Sequence, residues 1–147
     1  MKRLTICTLI ILLAFFSTSM RAEIVLVANS ASSIDTLSYT EVSRVYTGLH
    51  IVMPNGARIE PYDHPVNSKL RKQFYTQLLN KSVAQMNSYW ARLLFSGRAK
   101  PPKRLFDSSE IGEILKNNPN AIVYIDGVSA KELINVKIVY SLTEERD

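Results

Sequence analysis

Apolar positions along this chain switch between the period of a strand and the period of a helix, and the switches mark out its elements. Glu23 to Ala28 is a β-branched apolar run that predicts a buried strand, and Asn29 to Ser33 follows as a small polar loop. Ser38-Tyr39-Thr40-Glu41 has capping-box spacing, in which serine and glutamate side chains each close a free backbone N–H at a helix start. The helix it opens puts Val42, Val45 and Tyr46 on one face, and Gly48 is its expected stop. Ile51 to Met53 and Arg58 to Tyr62 read as strands joined at the turn Pro54-Asn55-Gly56. Ser68 predicts the cap of a second helix, with Leu70, Phe74, Leu78 and Leu79 along one side until Asn80-Lys81 breaks the pattern. Ser82 predicts the cap of a third, running to about Ser96 with Val83, Met86, Trp90, Leu93 and Leu94 at helical spacing and Gly97 as its stop.

Arg98 to Arg104 reads as a stiff basic loop, because two prolines oppose regular backbone pairing. Ser108 or Ser109 is the expected cap of a further helix through Lys116, ended by Asn117-Asn118-Pro119-Asn120. Ala121 to Ile125 and Val136 to Leu142 are the remaining strands, and Thr143 to Asp147 is a polar tail. Strands alternate with helices and no linker or repeat intervenes, so the expected class is α/β.

The N-terminus changes how much of the chain counts. Lys2 and Arg3 precede an almost unbroken apolar run from Leu4 to Phe16, and small and polar residues follow to Ala22; this is the pattern of a secretory signal peptide. The run is about 13 residues, short of the ~20 that span hydrocarbon, so no membrane span is expected once residues 1–22 are cleaved. Cleavage after Ser19 fits the small-x-small rule, and cleavage after Ala22 leaves 125 residues, enough for one domain spanning 23–147. The only cysteine, Cys7, lies inside the signal, so a disulfide is not expected. The signal also holds three of the 18 Lys and Arg and none of the 13 Asp and Glu, which lowers the net charge from +5 to +2. Nucleic acid is therefore not an expected partner.

Candidate chemistry is sparse. No Gly-x-Ser-x-Gly elbow is present, and His50 and His64 are the only near-neutral bases, so no enzyme activity is expected. No spacing of these histidines with a carboxylate such as Asp63 matches a metal-ligand pattern, and neither metal nor cofactor is expected. Trp90, with Tyr89 and Phe95 nearby, reads as core rather than as a stacking platform. The start of the Ser68 helix is more informative. A helix start leaves N–H groups unpaired and carries partial positive charge, so it can receive an anion, and Arg71 one turn in could fork onto its oxygens. The plain alternative is a capped helix with Arg71 facing water. Arg98, Lys100, Lys103 and Arg104 form the densest positive patch, either a solvated loop or an electrostatic lure for an anion.

The order of segments is similar to that of a known family. A polar loop follows the exported strand, and a helix ends in Ser43-Arg44-Val45-Tyr46-Thr47-Gly48. Pro54-Asn55-Gly56, the Ser68-Lys69-Leu70-Arg71 helix start, Tyr89-Trp90 before Phe95-Ser96-Gly97, and Asn118-Pro119-Asn120-Ala121-Ile122-Val123-Tyr124-Ile125 complete the series. Together they resemble the phosphate-binding, type II periplasmic solute-binding proteins of ABC importers, most closely their short single-lobe relatives. The resemblance maps the family's Ser-Gly-Thr-Arg helix start onto Ser68 to Arg71, where Lys69 and Leu70 replace Gly and Thr and remove one hydroxyl donor. Asn120 and Val123 likewise stand where the family has glycines.

The resemblance implies a single lobe with a central mixed sheet and flanking helices, located in the periplasm. It implies a non-catalytic protein that binds phosphate or a similar small anion, linked to phosphate uptake. The candidate oxyanion site is Asn29, Ser30, Ser32, Asn67, Ser68, Lys69, Leu70 and Arg71, with Arg98, Lys100, Lys103 and Arg104 as a basic loop beside it. The rival reading is an envelope interaction module that docks a protein partner, or a second copy of itself, without a small ligand.

Overall fold

The computed structural model describes residues 23–49, 52, 56 and 58–142. A five-stranded mixed sheet forms from β1 (Ile24–Asn29), β2 (Glu60–Asp63), β3 (Lys103–Arg104), β4 (Ala121–Asp126) and β5 (Val136–Leu142), in the order β3-β2-β4-β1-β5. β2 runs parallel to β3 and β4, whereas β1 is antiparallel to both of its neighbours, β4 and β5. The helices are α1 (Tyr39–Val45), α2 (Lys69–Leu79), α3 (Val83–Phe95), α4 (Ile111–Asn117) and α5 (Gly127–Glu132).

The apolar runs of β1 and β4 follow from their central place. Side chains alternate across a sheet, and here both faces are covered. Ile24, Leu26, Ala28, Ile122 and Tyr124 face the core that α1, α2 and α3 close with Val42, Phe74, Met86 and Trp90. Val25, Val27, Val123 and Ile125 face the other core, closed by Leu105, Ile111, Leu115 and Ala130. Every strand position thus has a layer to bury into, and alternation vanishes from the sequence.

The caps set where the helices begin. The Ser38–Glu41 box opens α1, Ser68 caps α2 through the Arg71 N–H, and Ser82 with Gln85 forms the box of α3. Asn80, left-handed at φ 52°, closes α2. Trp90 is buried, as its spacing predicted, but Leu94 at the end of α3 is exposed.

Gly48 is the stop of α1 as expected: left-handed at φ 84°, it donates to Val45 O at 3.3 Å, and the Leu49 N–H closes on Arg44 O at 2.8 Å. Three expectations are corrected. Asp107, not Ser108 or Ser109, takes the cap, because its carboxylate accepts the Ser109 N–H at 2.7 Å and opens a 3-10 turn over Ser108–Glu110 ahead of α4. The basic loop is not wholly irregular: beyond the prolines, Lys103 and Arg104 pair with Tyr62 and Asp63 as β3. α5 carries no apolar stripe long enough to be read and rests on an Asp126 cap. Of the expected Ile51–Met53 strand, only a bridge from Val52 to Arg58 falls within the described residues; His50 and the signal segment 1–22 lie outside them.

Gly48 has a packing reason as well as a turn. Its φ is 84°, and a Cβ there would sit 2.8 Å from the Ala99 Cβ and 2.9 Å from the far edge of the Trp90 ring. Gly48→Ala adds left-handed strain to an overpacked contact, and urea denaturation should show a loss of about 2–4 kcal/mol.

Candidate functional site

Asp63 ends β2, and four residues of turn lead from it to the Ser68 cap of α2. Residues 71 and 75 lie four apart on α2, so their side chains share one face, and that face looks back at the strand end. The Asp63 carboxylate is the acceptor at the centre. Its Oδ2 takes the Arg71 Nε–H at 2.8 Å and the Tyr75 hydroxyl at 3.0 Å, and its Oδ1 takes the Tyr124 hydroxyl. Arg71 Nη2 donates to Asn87 Oδ1 of α3 at 3.1 Å, whereas Arg71 Nη1 is buried without an acceptor. Phe74 stacks flat on Tyr124, with ring centroids 3.8 Å apart, and locks the hydroxyl in place.

The electrostatics keep Arg71, Tyr75 and Tyr124 protonated around the carboxylate. Burial alone would lower the Arg71 pKa, but the Asp63 carboxylate outweighs it and holds the guanidinium above its ordinary value. Burial, and then the Asp63 charge, push the Tyr75 and Tyr124 hydroxyls up, so both stay protonated and donate. His64 is buried beside them. Its Nε2 lies 2.8 Å from the Tyr124 carbonyl, which only accepts, so that nitrogen carries the proton. Burial lowers the His64 pKa against the opposing backbone bond and the nearby carboxylates. A buried imidazole committed to a carbonyl is a structural residue, not a base.

The start of α2 offers a different set of donors. Lys72 N–H makes the first intrahelical bond, to Ser68 O at 3.2 Å, and Arg71 N–H goes to Ser68 Oγ at 3.2 Å. The N–H groups of Lys69 and Leu70 precede both and are left for an outside acceptor. Asn67 and Lys69 are exposed around them.

Beside this cluster, Arg71, Asn87, Trp90, Pro101, Pro102 and Arg104 line a cleft of about 340 Å³. Among the described residues no three His, Cys, Asp or Glu side chains converge as metal ligands, and no helix is long and apolar enough to cross a membrane.

No protein-family profile and no curated protein matches the sequence. Solved structures do match. An ABC-type phosphate transport receptor from Vibrio cholerae superposes with a TM-score of 0.60 at 16% identity, over 80% of this chain and 45% of the receptor. PstS from Borrelia burgdorferi gives 0.60 at 16%, over 80% and 46%. A candidate phosphate ABC transporter substrate-binding protein from Clostridium perfringens, with phosphate bound, gives 0.54 at 16%, over 84% and 56%. The fold is that of the phosphate receptors. The chain spans about half the length of those it matches.

Within this receptor fold, the expected site residues do not all meet. β1 is antiparallel to β4 while β2 is parallel to it, so Ile24 lies opposite Asp126 and the far end of β1 points away from the end of β2. Asn29, Ser30 and Ser32 therefore sit beyond one end of the strands, and Asn67 to Arg71 beyond the other. The first group is occupied with fold contacts: Asn29 Nδ2 donates to Leu115 O at 2.9 Å, Ser30 N–H to Asn135 O at 2.9 Å, and Ser32 Oγ to Pro119 O at 2.5 Å. One site made of both groups is thus corrected to two separate places. Strand direction, which settles this, is not written in a periodicity.

Arg71 is also displaced from its expected role, being 1% exposed and turned inward to Asp63 rather than facing water. The basic loop does not act as one patch. Lys103 pairs with Glu60 at 2.5 Å and covers the Tyr62 ring, Arg98 and Lys100 are exposed on the proline side, and Arg104 stands in register with Asp63 at the cleft. Asp63, Tyr75, Asn87 and Tyr124 were missed by the sequence reading. The available signal was an Arg and a Tyr flanking Phe74 on an otherwise apolar helix face, just after an Asp.

Two outcomes follow from the cluster. Asp63→Asn leaves the Arg71 charge buried and uncompensated and should cost about 3–5 kcal/mol in urea denaturation. Adding Arg71→Gln should then cost less than the two single losses together by at least about 1 kcal/mol, since the pair is one unit; strict additivity would refute that. For His64, the folded pKa lies below the unfolded one, so the unfolded chain takes up the proton first as pH falls. Melting temperature should therefore drop as pH falls through about 6.5 and below, and His64→Gln should flatten that part of the profile.

Proposed function

We propose that this chain is an exported, non-catalytic solute-binding protein that takes phosphate or a similar oxyanion at the start of α2, in the service of phosphate uptake. The observation that carries the reading is the pair of uncommitted N–H groups at Lys69 and Leu70, at the mouth of a capped helix, on the fold of phosphate receptors. One of the matching structures holds phosphate. Export rests on the residue 1–22 pattern.

Affinity follows from exposure. An anion at this helix end faces water on one side, where each charge contact contributes about a kcal/mol or less. A few such contacts give about −4 kcal/mol, a millimolar Kd. Tighter binding requires a second wall, from a partner protein or another copy of the chain.

Calorimetry of the 23–147 chain with phosphate and with sulfate at low salt should give saturable heat in the millimolar range. Lys69→Pro is the discriminating variant, because proline is tolerated at the first helical position and deletes one of the two donors. Ser68 already has the extended backbone, at ψ 127°, that a following proline requires. Relative to Lys69→Gln, which removes only the charge, Lys69→Pro should weaken phosphate about three- to tenfold with little change in melting temperature. Absence of heat and of thermal shift with either anion would overturn the reading. It would favour the docking alternative, for which the supporting observation is Phe95 and Phe106, 99% and 89% exposed.

A further inference from the structure

We propose that the end of α3, from Arg92 to Lys100, is a peripheral membrane anchor that seats Leu94 and Phe95 in the interface of an anionic lipid bilayer. The charge of the chain is segregated. Residues 64–106 hold nine Lys and Arg and no Asp or Glu, and all 13 acidic residues lie outside that stretch. Asp63 and Glu60 neutralise Arg71 and Lys103, but Arg92, Arg98 and Lys100 are exposed, and among the described residues no carboxylate lies within ion-pair distance of them. These three cations frame Leu94 and Phe95, and Arg92 is the neighbour of Phe95 one helical turn back.

The apolar part of this tip is held in place. Gly97, left-handed at φ 66°, donates to Leu94 O at 3.1 Å and turns the Arg98 N–H back onto Leu93 O at 3.0 Å, which ends α3 in a closed wrap. Trp90, Leu93 and Ala99 pack inward on the core, so Leu94 and Phe95 are turned out, 58% and 99% exposed. A Cβ on Gly97 would meet nothing within 4 Å, so the tip projects from its surroundings. An aromatic ring preset on a fixed backbone enters a bilayer interface with little further ordering.

Charge decides what covers the tip. Phe106 is 89% exposed as well, but Asp107 follows it and its N–H is bonded to the Glu110 carboxylate at 2.9 Å, so an anionic surface repels that site. At the α3 tip the cations pair with lipid phosphates while the ring lies at the boundary of the acyl chains. A projecting tip suits a fluid interface, which needs no matching shape, whereas a protein partner would need a pocket for it. The anchor uses neither of the N–H groups at the start of α2.

Co-sedimentation of the 23–147 chain with lipid vesicles tests this. At low salt the protein should pellet with vesicles of equal parts phosphatidylglycerol and phosphatidylcholine, stay in solution with phosphatidylcholine alone, and be released as salt rises. Phe95→Ser should weaken binding about three- to tenfold, and Arg98→Gln with Lys100→Gln about tenfold or more, with melting temperature unchanged because these side chains stand in solvent. Phe106→Ser should bind as the wild type does. Millimolar phosphate, compared with chloride at equal ionic strength, and Lys69→Pro should both leave vesicle binding intact; loss of binding in either means that lipid phosphate is held at the start of α2 and overturns the anchor. No pelleting with the anionic vesicles, or pelleting that Phe95→Ser leaves unchanged, also overturns it, and calorimetry with phosphate then still decides the solute-binding reading separately. A chain that ignores vesicles but retains an acidic protein through Phe95 overturns it in favour of a protein dock.

Discussion

Burying the Asp63 carboxylate without donors would cost several kcal/mol, and the α2 side of the fold is arranged so that this does not happen. Three donors from two elements converge on it: Arg71 and Tyr75 from the helix, Tyr124 from β4. Two of these donors also hold something else in place. Arg71 reaches on to Asn87 and ties α3 to α2, Phe74 between Arg71 and Tyr75 stacks on Tyr124, and His64 N–H donates to the Tyr124 hydroxyl at 3.2 Å. The strand end, the turn and both helices therefore share one electrostatic centre. Their relative placement is fixed by hydrogen-bond geometry as well as by apolar packing.

This arrangement also separates two kinds of N–H donor that the sequence runs together. The helix end presents backbone N–H groups that no side-chain change removes, open to water and weak. Arg71 Nη1 and Trp90 Nε1, by contrast, are buried N–H groups set by packing. Arg71 belongs to the second kind although it lies in the first turn of the helix, because its side chain follows the Asp63 carboxylate inward.

Much of the fold was legible because its signals are local. The Ser38–Glu41 box, the Ser68 and Ser82 caps, and the uninterrupted apolar runs of β1 and β4 each depend on residues within a few positions. What escaped depends on distance. The β3 pairing of Lys103 and Arg104 comes from β2, 41 residues earlier at Tyr62↔Lys103. The separation of Asn29 from Ser68 comes from the opposed directions of β1 and β2, and no window of sequence carries strand direction. The Asp63–Arg71 pair is only eight residues apart, yet it was hidden because an arginine on a helix ordinarily faces solvent.

The position of β1 has a consequence for the order in which the chain acquires structure. The first strand is threaded between β4 and β5, its partners lying about a hundred residues later, at Ile24↔Asp126 and Ile24↔Leu142. Loop closure of that span must precede the contacts that reward it, so the sheet forms late and slowly. Until the last third of the chain is present, Ile24 to Ala28 remains an apolar segment without its strand partners. A protein built this way completes the centre of its sheet last.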